Sequence, residues 1–162
     1  MGRHSLLRGL ALPVMLSLIG SSAAATAGQD FALQVGPPVA GSSQQTKKAM
    51  LVVRSGGCAD PAKARITATA EGLVKGVRRS LPLTLEPLRT PGVHSLPREW
   101  SNGGGVWIVS LVGTCAGKTA GAIVALGPTD TYRRESVRLL GHRATAEEID
   151  ASLKALATGG SK

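Results

Sequence analysis

The stretch GGGVWIVSLVGTC, Gly103 to Cys115, sets three glycines ahead of a run of apolar and β-branched residues that stops at a cysteine. Such a run is a strand signature, because branched and aromatic side chains fit a pleated surface and glycines punctuate it. Side chains alternate across a strand, so Trp107, Val109 and Leu111 share one face. Val106, Ile108 and Val112 share the other, where Ser110 is the one polar member. Apolar residues on both faces predict a central strand covered on its two sides. With two Trp, one Tyr and one Phe in the whole chain, Trp107 is the largest block of core available, and the fold is expected to close over it.

Upstream, Phe31 to Val35 alternates apolar with small or polar residues until Gly36-Pro37-Pro38 breaks it, which predicts a short first strand followed by a flexible loop over Gly41 to Lys48. Ala49 to Arg54 is apolar enough for a second buried strand, and Ser55-Gly56-Gly57 turns it toward Cys58. From Arg65 to Ala70 the period is two, with Ile66, Ala68 and Ala70 inward. Gly72 to Gly76 reads as a hairpin-like connection to a returning run carrying Leu81, Leu83 and Leu85. Pro82 cannot donate to a ladder, so that run belongs at a sheet edge or a bulge. Val93 to Leu96 follows as a short strand, Trp100 is expected to cap the core at the sandwich end, and Gly121 to Leu126 is the last core strand. About seven short strands between turn signals, with no helical pattern among them, predict an all-β fold, an antiparallel β-sandwich.

Beyond Leu126 the character changes. Thr145-Ala-Glu-Glu148 has the form of a capping box, in which the threonine hydroxyl and the glutamate carboxylate satisfy backbone donors at a helix start. Ile149, Leu153 and Leu156 then repeat at helical spacing, and Asp150 with Lys154 can pair one turn apart. The spacing predicts an amphipathic helix over Ala146 to Ala157. Its narrow apolar stripe either docks on the sandwich or meets a partner, since both uses share one pattern.

At the other end, Arg3 and Arg8 precede an apolar run from Leu10 to Ile19 and then small residues ending in Ala25-Thr26-Ala27, the layout of a secretory signal peptide. The apolar run is well short of the roughly 20 residues of a spanning helix, so no membrane anchor is expected after its removal. Gly28 is the expected first mature residue, which leaves about 135 residues, enough for one hydrophobic core. The expected layout is a signal peptide over residues 1–27, a β-sandwich domain over 28–128, and a basic linker with a helical tail over 129–162. In the periplasm or outside the cell, Cys58 and Cys115, the only cysteines, are expected to form a disulfide. No Cys-x-x-Cys supports a redox role.

Catalytic and cofactor chemistry finds little support. Gly113 to Thr119 resembles a phosphate loop but has three residues between its glycines where four are needed. His94 and His142 lie far apart in sequence, with no carboxylate or cysteine at ligand spacing, and neither Gly-x-Ser-x-Gly nor Ser-x-x-Lys occurs. No enzyme activity, metal site or cofactor is therefore expected. Charge is more informative: without Arg3 and Arg8 the chain keeps 17 basic and 10 acidic residues, a net charge of +7. Arg78, Arg79, Arg133, Arg134, Arg138 and Arg143 are the candidate contacts for an anionic surface component or an envelope protein, unless the excess serves solubility alone. Nucleic acid is disfavoured, because export removes the chain from it and no aromatics interleave with the basic residues.

The run from Pro91 through Val93-His94-Ser95-Leu96 and Trp100 to Gly105-Val-Trp107-Ile-Val-Ser-Leu111 resembles a segment of small bacterial periplasmic immunoglobulin-like domains, including the FixH and YtkA-like group. It covers about a quarter of the chain. The resemblance implies a β-sandwich accessory protein of the cell envelope, associated in some relatives with copper or oxidase assembly. A membrane anchor and a histidine and methionine cluster, which that group carries, are not found here. Two functions follow as expectations: a non-catalytic periplasmic binding or accessory module, or a metal-handling accessory using His94, Met50 or His142.

Overall fold

The computed structural model describes residues 30–38, 47–98, 104–127, 132 and 134–159, so the expected signal peptide, Trp100 and Arg133 lie outside the described residues. Among these are nine strands: β1 (Ala32–Gly36), β2 (Ala49–Gly56), β3 (Arg65–Val74), β4 (Val77–Leu83), β5 (Glu86–Pro87), β6 (Val93–Pro97), β7 (Val106–Cys115), β8 (Lys118–Ala125) and β9 (Val137–Leu140). One α-helix, α1 (Ala146–Gly159), follows them. All strand pairs are antiparallel and form two sheets, β1-β2-β6-β5 and β4-β3-β7-β8-β9. The predicted all-β sandwich with a C-terminal helix is the observed architecture.

β7 lies in the middle of the five-stranded sheet, and its two apolar faces meet different neighbours. Trp107, Val109 and Leu111 turn inward, opposite Gly72, Ala70 and Ala68 of β3, and pack with Leu33, Leu51, Val53 and Leu96 of the other sheet. Ile108 turns outward and packs with Ile123 of β8 and with Ile149 and Leu153 of α1. A glycine makes room on each face. A Cβ on Gly72 would stand 2.5 Å from the Trp107 indole, and one on Gly121 would collide with the His142 carbonyl where the chain crosses the outer face. The indole nitrogen donates to the Gly104 carbonyl at 2.7 Å, which removes the cost of burying it.

The edges follow from turn geometry. β3 runs through Gly72 to Val74, further than the expected connection over Gly72 to Gly76 allows, and the turn is only Lys75-Gly76, at φ 51° and 79°. A two-residue turn of this kind makes the flanking pair Val74 and Val77 exchange both backbone hydrogen bonds. Strict alternation then places Pro82, opposite Thr69, at a position whose nitrogen points away from β3. The missing donor costs the ladder nothing, and β4 is the edge strand that Pro82 predicts.

Cys58 and Cys115 are joined, with their Cα atoms 6.0 Å apart, so the bridge ties the segment after β2 in one sheet to the end of β7 in the other. No helix among the described residues is long and apolar enough to cross a membrane. One boundary needs correction. Residues 129–162 are not wholly linker and tail, because Val137–Leu140 pairs with β8 and extends the five-stranded sheet. That four-residue strand and the two-residue β5 account for the difference from the seven expected.

Candidate functional site

The arginines expected to face a partner divide into two kinds. Arg78 on β4 lies between Glu71 and Asp150: its Nε donates to Glu71 Oε2 at 3.3 Å, and it also pairs with the Asp150 carboxylate of α1. Ser80 Oγ donates to the other Glu71 oxygen at 3.1 Å. At the opposite edge of the sheet, Arg138 on β9 pairs with Glu148 of α1 at 2.9 Å. Both arginines therefore hold the helix rather than face outward. The pairing of Asp150 with Lys154 expected from helical spacing gives way to Arg78, because the sheet edge brings a second cation to the same carboxylate.

The helix start is built as predicted. Glu148 N–H donates to Thr145 Oγ1 at 3.3 Å, and Thr145 N–H donates to Glu148 Oε2 at 2.9 Å. His142 Nε2 lies 3.2 Å from the same carboxylate. The Thr145 backbone N–H, foremost, together with His142 and Arg138, holds the Glu148 carboxyl below its ordinary pKa. Ile149 and Leu153 are buried and Leu156 is half-buried against the sheet, so the stripe left open between docking and partner contact is a docked one.

Arg79, Arg134 and Arg143 are exposed and make no ion pair among the described residues, while Arg133 lies outside them. Most of the described acids are already engaged: Asp60 with Lys63, Asp30 with Lys118, and Glu71, Glu148 and Asp150 with Arg78 and Arg138. The excess of positive charge is therefore left on the surface. Arg79 sits opposite Gly72 on the inward side of β4, beside Val77 and Leu81, which are 54% and 37% exposed. The short β5 in the facing sheet leaves this ledge uncovered.

The second feature is concave. The 3-10 turn Pro61–Lys63 and the segment from Pro87 to His94 enclose a cleft of about 290 Å³. His94, expected on the surface or rim, lies half-buried on the inward face of β6 opposite Val53. Its Nδ1 is buried without a hydrogen-bond partner, and burial lowers the pKa of the ring. No motif announced this cleft, whose lining residues lie in separate turns and strands of the sequence. The three residues considered for metal handling are not brought together. Met50 is 1% exposed in the core, His94 is on the four-stranded sheet, and His142 is on the outer side of the other. Among the described residues no group of three or more His, Cys, Asp or Glu is placed to hold a metal ion. No protein-family model matches the chain, and no curated protein or solved structure matches it significantly.

Proposed function

We propose that the chain is exported to the periplasm or beyond the cell and works there as a non-catalytic, immunoglobulin-like binding or accessory module that meets an anionic envelope partner. The carrying observation is the set of unpaired exposed cations at Arg79, Arg134 and Arg143, on separate parts of the surface, left over because most of the described acids are engaged within the fold. A net excess of positive charge attracts an oppositely charged partner. The disulfide supports an oxidising compartment. The strand order supports the immunoglobulin-like reading: β1-β2-β6-β5 and β4-β3-β7-β8 follow the A-B-E-D and C′-C-F-G succession, and the bridge joins the two sheets from the segment just after the second strand to the end of the seventh, beside rather than at the B to F position.

The test is crosslinking capture from the envelope fraction, using wild type and the triple variant Arg79→Ala, Arg134→Ala, Arg143→Ala. A partner held by these cations is captured when crosslinking is done at low salt, not captured when it is done at high salt, and lost with the triple variant. Capture that is insensitive to both salt and the variant would overturn the proposal.

A further inference from the structure

The cleft beside His94 has a chemistry of its own. Its walls are mostly apolar, with Pro61, Pro87 and Val93 among them, and Arg89 is the one formally charged lining residue. No acid lines it. The volume, about 290 Å³, suits a molecule of one ring or a short branched chain. The walls are held in place before any ligand arrives. Ser55 N–H donates to the Gly92 carbonyl at 3.0 Å, Leu88 N–H donates to Val93 at 2.9 Å, and Asp60 accepts from Ala62 N–H at 3.2 Å, two residues from the bridged Cys58.

The histidine sets the polarity. His94 Nδ1 is buried with no partner, whereas Nε2 is neither buried nor bonded among the described residues, and His94 lines the cleft. A buried N–H with nothing to accept it is tolerated less well than a buried lone pair, so the proton of the neutral ring resides on Nε2. The cleft then presents a donor and a cation above an apolar floor, with the Thr90 hydroxyl beside them and no carboxylate among the described lining residues. We propose that it binds a small apolar carboxylate, with the carboxylate oxygens taken by Arg89 and the His94 Nε2–H and the hydrocarbon body against Pro61 and Pro87, the latter paired with His94 and on its face of the sheet. This site does not depend on the envelope contact proposed above.

Nuclear magnetic resonance of the purified, oxidised protein tests it, with benzoate as probe and benzyl alcohol as its uncharged counterpart. Benzoate is expected to shift the His94 ring and the amides of Ala62, Leu88 and Val93 saturably, with a Kd of about a millimolar, the ordinary range for a ligand this small. Benzyl alcohol and the Arg89→Gln variant should each bind about tenfold more weakly, the loss expected for one charge-assisted contact. Ala62→Trp, at an exposed position on the rim, should abolish the shifts while leaving the melting temperature in place. The triple arginine variant should bind benzoate as wild type does, so this result stands apart from the envelope test. No saturable shift at His94, shifts confined to other regions, or equal affinity for benzoate and benzyl alcohol would overturn the proposal.

Discussion

The two faces of the five-stranded sheet are covered in different ways. The inner face meets a second sheet through Trp107, Val109 and Leu111, is free of charged groups at its centre, and is tied across by the Cys58–Cys115 bridge. The outer face meets one helix through Ile149 and Leu153, and its rim is ionic, with Arg78 and Arg138 reaching the helix from opposite edges. Apolar burial contributes in proportion to area and needs no particular orientation, whereas exposed ion pairs contribute little and are screened by salt. The inner face therefore supplies the stability of the domain. The outer face supplies the position of the helix.

The largest effect is expected at the inner face. Trp107→Ala should cost about 3 to 5 kcal/mol, since it leaves a cavity over Gly72 that a close-packed interior cannot refill. Against a total of roughly 5 to 15 kcal/mol, this unfolds much of the population, and denaturant titration measures it. Melting within a few degrees of wild type would place the indole outside the core.

Next in size is the bridge. With its cysteines 57 apart in sequence, loop-closure entropy gives about 4 kcal/mol of stabilisation to be lost on reduction. Mass spectrometry of the unreduced protein should find no free thiol, and a melt with and without reductant gives the loss. An unchanged melting temperature would mean that apolar packing alone joins the sheets.

Removal of the helix is expected to do less. Truncation after Gly141 should keep the sandwich folded and lower its stability by about 1 to 3 kcal/mol, the burial of Ile149 and Leu153 less the entropy of ordering the segment. Amide exchange in the intact protein should show protection from Ile149 to Leu156. Exchange there at random-coil rates would detach the helix from the outer face. Arg78→Ala and Arg138→Ala should each cost no more than about 1 kcal/mol, with the loss shrinking at high salt, as thermal melts at two ionic strengths will report.

The smallest effect separates the faces by pH. On the inner side, burial lowers the His94 pKa, so the unfolded chain takes up this proton first and stability falls as pH drops below the ordinary histidine value of 6.5. On the outer side, Glu148 is also lowered, so its contribution is present above the ordinary glutamate value of 4.5 and is lost as pH falls further. His94→Gln should remove the upper step and leave the lower one in a stability profile from pH 7 to 3. A profile unchanged by the substitution would show that the ring is not desolvated in the folded protein.

Much of this was legible in the chain. The two apolar faces of Val106 to Val112 announced a strand covered twice, Pro82 announced an edge or a bulge, the threonine and glutamate at 145 and 148 announced the helix start, and the two cysteines announced their bridge. Each is a local rule of period, donor count or parity, so neighbours in sequence suffice to apply it. β9 was not legible, because four residues flanked by basic and polar chain carry too little alternation to stand out. The fate of the arginines was decided only by tertiary structure. Sequence counts charges, but which cation meets which carboxylate depends on the sheet edges that carry Arg78 and Arg138 to the helix. The cleft is of the same kind: Pro61, Arg89 and His94 become neighbours only when β2 and β6 pair and the turns beyond them close together, a non-local event that no spacing records.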